Sequence, residues 1–560
     1  MKEAVVKALK KYVGMTTNEL TNLLEVPPSL ELGDFAFPCF VLAKEHKKNP
    51  TEIAQMLTKK LKSNAFEKVE AKGPYINFFL NKKKLAESTI NEILEKKEKY
   101  GSLKLGREKV MVEFSQPNTH KAFHVGHIRG TSLGESISRI FEFTGNKAVR
   151  ANYSGDTGMH IAKWLWCYQK FHKKEKLNDE ESWIASIYVD AVKRLSDNKD
   201  FQEEVNEVNK KLESKEDKKL NELWKKTRTA SVSAWKKIYK ELNTHFDVHY
   251  FESDVEKPAK DFANNLIKKK IAKISEGATI VEFSDFNEEK LGVFLLLRTD
   301  GTVLYGGKDM SLAERKFNEF KLNKSYYVVG REQDLYLQQV FKTLELAKSK
   351  ASKKSFSILL SEVRLPTGKM SSRTGDNVLY SDFKKELVDY AKSEIKKRHK
   401  INSEETEQRA LTIAIGSMKY AMLKQDINKN IVFDKKEAMN FEGNTGPYLL
   451  YTYARARSIL RKAKYKKKSF TIKELNESEK ALITQLAKFP EIVERAYKNL
   501  TPHVIATYAY QISQTFNEFY HKNKAIGSKE ELFRLALIDS FSITLKNSLH
   551  LLSIETLEKM

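Results

Sequence analysis

The stretch from Lys109 to Asn152 changes character in an order that few folds accept: an apolar β-type run, a loop, a helical pattern and a second β-type run. Residues 109–114 read KVMVEF. From about Ile128 the apolar residues Leu133, Ile137, Ile140 and Phe141 fall at i, i+4, i+7 and i+8, one face of an amphipathic helix. Residues 147–152 supply the next strand. Two strands joined through a helix imply a βαβ unit and a parallel sheet, so an α/β fold is expected. Further β-type runs at 279–283, 293–297, 325–329 and 356–360 are expected to form the second half of that sheet.

Organisation on either side follows from shifts in pattern. At 560 residues, with 41% hydrophobic side chains, the chain has material for several cores. Residues 1–105 mix helical patterns with short strands: a helix over 51–61 with Thr51 as N-cap, a strand over 75–80 and a charged helix over 85–99. Residues 106–395 form the α/β unit, with a highly charged stretch at about 160–245 read as an insertion of long solvated helices. Residues 396–560 lose the β signal and read as an all-helical bundle. No run of about 18 apolar residues indicates a membrane span, and the charged N-terminus lacks a secretory signal's apolar centre. Cys39 and Cys167 suit neither a CxxC-type zinc site nor a disulfide framework. They are expected to be buried small hydrophobes in a reducing, cytoplasmic setting. The net charge of +25 fits a nucleic-acid partner, and equally a lysine-rich composition.

Two short motifs carry chemistry. His124-Val125-Gly126-His127 lies between a strand and a helix start, where a doubly wound sheet presents its ligand crevice. Helix-start N–H groups favour phosphate, Gly126 admits a flat purine close to the backbone, and two imidazoles can donate to phosphoryl oxygens. Taken alone the motif also suits small nucleotidyltransferases. About 245 residues later, after a Pro-Thr-Gly turn, comes Lys369-Met370-Ser371-Ser372-Arg373, a basic loop suited to the β- and γ-phosphates of ATP. In this order, on a βαβ background, the pair resembles the HIGH and KMSKS signatures of class I aminoacyl-tRNA synthetases.

The flanks resemble the arginine family of those enzymes. The matching segments are Phe114-Ser115-Gln116-Pro117-Asn118, Asn152-Tyr153-Ser154-Gly155-Asp156, Phe246-Asp247-Val248 with Glu252-Ser253, Asp300-Gly301-Thr302 with Tyr305 and Asp309, Val328-Val329-Gly330 with Gln333-Asp334-Leu335, and Phe441-Glu442-Gly443-Asn444-Thr445 with Pro447-Tyr448. The resemblance implies a Rossmann-like catalytic domain, a small α+β N-terminal tRNA-binding domain and a helical, DALR-type anticodon-binding bundle, the last carried by Phe533-Arg534-Leu535-Ala536-Leu537. It assigns Glu252, Tyr305 and Asp309 to the guanidinium of arginine, and Asn118 and Gln333 to its α-amino or carboxylate end. Acceptors round a planar fork of donors are what recognition of arginine over lysine requires. It assigns ATP to His124, Gly126, His127, Lys369, Met370 and Ser371, with Lys121, His124, His127 and Lys369 as the catalytic set. The resemblance further implies that Lys121 compensates for Ser372, which stands in place of the second lysine of KMSKS. Gln116, Thr157 and Lys308 depart from the usual pattern, where a small residue, a Trp and an Arg are common. In the first domain Tyr75, Asn77 and Phe79 are implied to stack on and bond an unpaired tRNA base.

The implied activity is ligation of L-arginine to tRNA(Arg) through an arginyl-adenylate, with ATP and Mg2+, activation depending on bound tRNA. No structural zinc and a monomeric, membrane-free enzyme are expected. A class I enzyme for glutamate or lysine is one alternative, and a catalytically silent tRNA-binding paralogue is another.

Overall fold

The apolar residues nearest the N-terminus close on one another before meeting the rest of the chain. Strands β1 (Phe35–Pro38), β2 (Phe66–Lys72) and β3 (Tyr75–Leu80) form an antiparallel sheet in the order β1-β3-β2. Ile76, Phe78 and Leu80, on one face of β3, join Val5, Leu9, Leu20 and Leu57 in a core of their own. The helix expected over 51–61 is Pro50–Lys60. Its N-cap is Asn49, whose side chain accepts from the Thr51 amide, and Pro50 takes the first helical position, so Thr51 is capped and does not cap. The computed structural model describes residues 2–364, 366, 379–398 and 402–560.

The charged helix expected over 85–99 runs Lys82–Lys96. Its Ala86, Ile90, Ile93 and Leu94 pack into the core shared with the C-terminal helices. Just beyond it the Tyr100 hydroxyl donates to the Leu486 carbonyl at 2.8 Å.

Strands β4 (Lys109–Glu113), β5 (Lys147–Ser154) and β6 (Val248–Phe251) pair in parallel with one another. Strands β7 (Lys273–Ser275), β8 (Ala278–Glu282) and β9 (Val293–Leu297) form a separate antiparallel sheet. This corrects the expectation that the runs at 279–283 and 293–297 extend the main sheet. Glu276 and Gly277, both at positive φ, make a two-residue turn that sends the chain straight back, where a parallel pairing needs a crossover. Strands β10 (Lys324–Gly330) and β11 (Ser355–Leu360) do join the main sheet, giving the order β11-β10-β4-β5-β6, parallel throughout. The chain enters at the centre, builds outward to β6, then returns to build the other side. The reversal falls beside β4, where ligands bind in open α/β sheets.

The helix after β4, Val125–Phe143, is buried on almost every side and not amphipathic towards water as the spacing predicts. Its polar residues meet other protein. The Arg129 guanidinium donates to the carbonyls of Ser361, Glu362, Asp426, Ile427 and Lys429. Glu135 accepts from Arg139, Arg150 and Thr244. Ser136 donates to the Leu551 carbonyl at 2.7 Å. The sheet lies on one side of this helix. On the other lie the C-terminal helices Ser403–Leu423, Gly446–Lys462, Glu477–Asn499, Pro502–Lys522 and Glu531–Leu551.

Between β5 and β6 runs the insertion, with helices Met159–Cys167, Glu181–Asp197, Phe201–Ser214 and Lys218–Glu241. Most of its charges are external, but Trp164, Trp166, Ile187 and Leu220 make a core inside it. No described helix is long and apolar enough to cross a membrane.

Candidate active site

The loop leaving β4 is held in a conformation that L-residues resist. Ser115, Gln116 and His120 all have positive φ, at 78°, 49° and 62°. Such positions cost about 1–3 kcal/mol each and persist only where neighbours over-determine them. The neighbours are on the last insertion helix. Its Tyr239 hydroxyl is 3.1 Å from Ser115 Oγ, its Ser231 accepts from the His120 amide at 3.1 Å, and its Thr227 hydroxyl lies 2.7 Å from His120 Nε2. The insertion therefore clamps the loop that presents the first signature, a role its charged sequence did not suggest.

His124 and His127 stack at the start of Val125–Phe143, ring centroids 3.8 Å apart. His127 Nδ1 accepts from the His124 amide at 3.0 Å, which leaves Nε2 to carry the ring proton as a donor. Each ring is partly open to the cleft yet enclosed by enough protein to disfavour charge. Burial, then Lys121, pushes His124 down to about 4. Burial, then His124 and Lys121, holds His127 well below the ordinary imidazole range. At neutral pH both are uncharged, so they can serve phosphate as hydrogen-bond partners and not as cations. The fixed cation beside them is Lys121, 5.4 Å above the Tyr188 ring. Gly126 leaves room for this stack, since a Cβ there would come 3.0 Å from the His124 ring.

Lys369, Met370 and Ser371, with Ser372 and Arg373, lie outside the described residues. The chain after them is anchored at the first signature. Leu379 bridges His124, and the Tyr380 amide donates to the Phe123 carbonyl at 2.9 Å.

The other end of the cleft is lined by charge. Glu252, just after β6, accepts at Oε2 from Lys308 Nζ at 3.1 Å and from the Thr157 hydroxyl at 3.2 Å. A Cβ on Gly155 would lie 3.1 Å from Glu252 Oε1 and 2.4 Å from Asn118 Oδ1, so the bare glycine leaves these two acceptors side by side. Asp309 accepts from the Tyr336 hydroxyl at 2.5 Å. Burial, opposed by that hydrogen bond and reinforced by Glu113, pushes its carboxyl up to about 7. Beneath it Glu113 and Lys316 form a fully enclosed ion pair. Gln116 donates to the second Glu113 oxygen at 3.1 Å, which gives that departure a local partner.

Sequence reasoning passed over the residues that fix this pocket. Asp156 is completely buried and accepts from Arg228 and from the Ser253 amide and hydroxyl, tying the ends of β5 and β6 to the insertion. The signal was present, since Asp156 stands inside a segment already singled out. Lys316 and Tyr336 carried no signal, because a lysine on a helix face reads as solvated. Tyr305 and Gln333 are exposed at the start of their helices, and neither is hydrogen-bonded to the charged cluster among the described residues.

In the N-terminal sheet Tyr75, Asn77 and Phe79 share the face of β3 opposite the core. Tyr75 meets the exposed Phe40 edge-on at 5.8 Å, Lys68 lies 5.2 Å over Phe79, and Asn77 is buried between them. Among the described residues, one group of potential metal ligands converges: Cys167, His172 and Asp190. Asp190 Oδ2 already takes Cys167, His172 and Arg194, which makes the group an ion-pair network.

A parallel sheet reversing beside β4, with H-V-G-H at that point, defines a class I tRNA synthetase catalytic domain. Residues 89–435 match the family described as tRNA synthetases class I (R), catalytic domain. Residues 1–80 match the arginyl tRNA synthetase N terminal domain, and residues 449–560 the DALR anticodon binding domain. The arginine–tRNA ligase of Clostridium acetobutylicum is 36% identical over 565 residues, covering all of both chains. That of Bdellovibrio bacteriovorus is 36% identical over 575 residues, covering all of this chain and 98% of its own. The solved Thermus thermophilus arginyl-tRNA synthetase superimposes with a TM-score of 0.80 at 26% identity, covering 100% of this chain and 99% of its own. A Mycobacterium tuberculosis methionyl-tRNA synthetase shares only the fold, with a TM-score of 0.52 at 9% identity over 80% of this chain and 92% of its own. The chain belongs to the arginyl-tRNA synthetase family.

Proposed function

We propose that the protein is an arginine–tRNA ligase whose arginine pocket is the charged end of the cleft and whose ATP site is the histidine end. The observation that carries the reading is a charge count. Glu113, Glu252 and Asp309 face Lys308 and Lys316, so three carboxylates meet two ammoniums. The odd one is Asp309, partly open to the cleft and pushed towards protonation by burial, with a phenol beside it. A guanidinium supplies the missing positive charge in a planar form that several acceptors can share.

The chemistry follows from that placement. The arginine carboxylate oxygen attacks the α-phosphorus of ATP, and pyrophosphate leaves with its Mg2+. The 2′-hydroxyl of the terminal adenosine of tRNA(Arg) then attacks the adenylate carbonyl, and AMP leaves. Asn118 and Gln333 would orient the α-amino and carboxylate end, and Tyr305 would close over the guanidinium. His127, through its Nε2 proton, and His124 would bond phosphoryl oxygens, with Lys121 supplying charge. Lys369, Met370 and Ser371 would complete the ATP site. Nothing here needs a covalent nucleophile, since positioning and electrostatics suffice. Tyr75, with Phe79 and Asn77, would offer tRNA an aromatic platform. We further assign a monomer working in the cytoplasm.

The test is ATP–pyrophosphate exchange with and without tRNA(Arg). Exchange with arginine only when tRNA is present is expected. Exchange driven by glutamate or lysine instead would identify another class I enzyme. Tight tRNA binding without any exchange would identify a silent paralogue.

A further inference from the structure

We propose that Lys308 is a positioning residue for arginine: steadied by Thr157, its ammonium fixes one oxygen of the Glu252 carboxylate and leaves the other turned to the substrate. The inference rests on reading Glu252 as an arginine ligand.

Three observations meet at one atom. Lys308 Nζ and the Thr157 hydroxyl both donate to Glu252 Oε2, at 3.1 and 3.2 Å, and lie 3.4 Å from each other. Oε1 accepts no hydrogen bond among the described residues and faces the space that Gly155 leaves open beside Asn118 Oδ1. The Lys308 and Glu252 side chains are 8% and 11% exposed, so water does not do the holding. The Glu252 backbone is fixed separately, because its neighbour Ser253 is bonded through both amide and hydroxyl to buried Asp156. Lys308 is therefore what orients the carboxyl group itself. Both donors to Oε2 stand where the family resemblance expects other residues. An arginine at 308 presents a fork that can cover both carboxylate oxygens, whereas an ammonium is a point donor that takes one.

Lys308 also acts on charge. Burial raises the Glu252 carboxyl, Lys308 and Thr157 lower it, and Asp156 raises it further. The other groups facing it are Asp309 and Tyr305 from the Tyr305–Phe320 helix, Tyr153 on β5 and Tyr336 on the Asp334–Leu346 helix. Without Lys308, Glu252 holds its proton to higher pH, and its free oxygen loses the charge that meets a guanidinium.

The experiment compares the KM for arginine and for ATP across pH 6 to 9 in full-length Lys308→Met, Lys308→Arg and Glu252→Gln, in tRNA-dependent exchange. For Lys308→Met we expect the arginine KM to rise about tenfold near neutral pH, since the Glu252 carboxyl loses both its fixed orientation and the cation that favours its ionised form. The rise should shrink as pH increases, with the ATP KM within about twofold. Lys308→Arg should raise the arginine KM at every pH, through competition for Oε1, and carries the test alone if Lys308→Met does not fold. An arginine KM unchanged or lowered in the variant tested, or an ATP KM rising in parallel, overturns the proposal. If Glu252→Gln leaves the arginine KM unchanged, the pocket assignment itself has failed. If it raises that KM while neither Lys308 variant does, only the role of Lys308 has failed.

Discussion

The two ends of the cleft solve opposite electrostatic problems with the same tool, burial. At the histidine end burial disfavours cations: His124 and His127 stay neutral, and Lys121, the cation beside them, is pushed below its ordinary range by burial and Lys163. At the carboxylate end burial works against anions, and ammoniums are built in to oppose it, Lys316 against Glu113 and Lys308 against Glu252. Among the described residues Asp309 has no ammonium in direct contact, and burial pushes it up to about 7. On the proposed assignment, the difference teaches that a polyanion and a cation can be received along one crevice without the two ends neutralising each other. The phosphate end relies on donors, the amino-acid end on one uncompensated charge.

The largest expected break is Asp309→Ala. Losing a partly enclosed ion partner is worth several kcal/mol, so kcat/KM for arginine should fall about 10³-fold. ATP binding, measured separately, should hardly change, and equal arginine use by the variant would remove Asp309 from the pocket. Lys316→Met strands Glu113 without its partner. Breaking such a buried pair costs about 3–5 kcal/mol, to be read as a lowered denaturation midpoint. A variant as stable as the parent would show that the Glu113–Lys316 pair does not support the carboxylate end.

His127→Asn acts at the opposite end. Removing one well-placed donor slows chemistry about 10²-fold, visible in single-turnover adenylate formation with arginine binding nearly unaffected. An unchanged single-turnover rate contradicts the donor role. The smallest effect is on pH dependence. Asp309 is raised to about 7, so its ionised, guanidinium-binding form declines as pH falls through that value. kcat/KM for arginine should therefore approach a tenfold loss per unit on the acid side. His124, lowered to about 4, stays neutral over the same range and adds no limb. A flat profile from pH 8 to 6 contradicts the assignment.

Much of this was legible beforehand, for local reasons. KVMVEF and the residues after it gave β4 and its helix because apolar period and strand length agree there. Asn118, Glu252 and Asp309 stood in recognisable segments. What stayed hidden depends on partners far away in sequence. β8 and β9 read like sheet strands, and only the turn at Glu276-Gly277 diverts them. Lys308 and Thr157 looked like isolated departures until the fold set both on Glu252 Oε2. The cap at Asn49 is masked in the sequence by Thr51, a second capping residue type two positions on.

Arg129 carries a consequence for how the protein comes apart. Its guanidinium, pushed down to about 10 by burial, is bonded among the described residues to main-chain carbonyls from two stretches near 361–362 and 426–429. Those oxygens converge only when strand exit, signature helix and C-terminal helices are assembled together. Until then the charge has no partners in the interior and must remain in water. The signature helix, the strand exit and the chain that leaves the Ser403–Leu423 helix are thus tied to one another. Removing the chain from Ser403 onward should strip that charge of the carbonyls at 426–429 and leave the catalytic unit with a lowered denaturation midpoint.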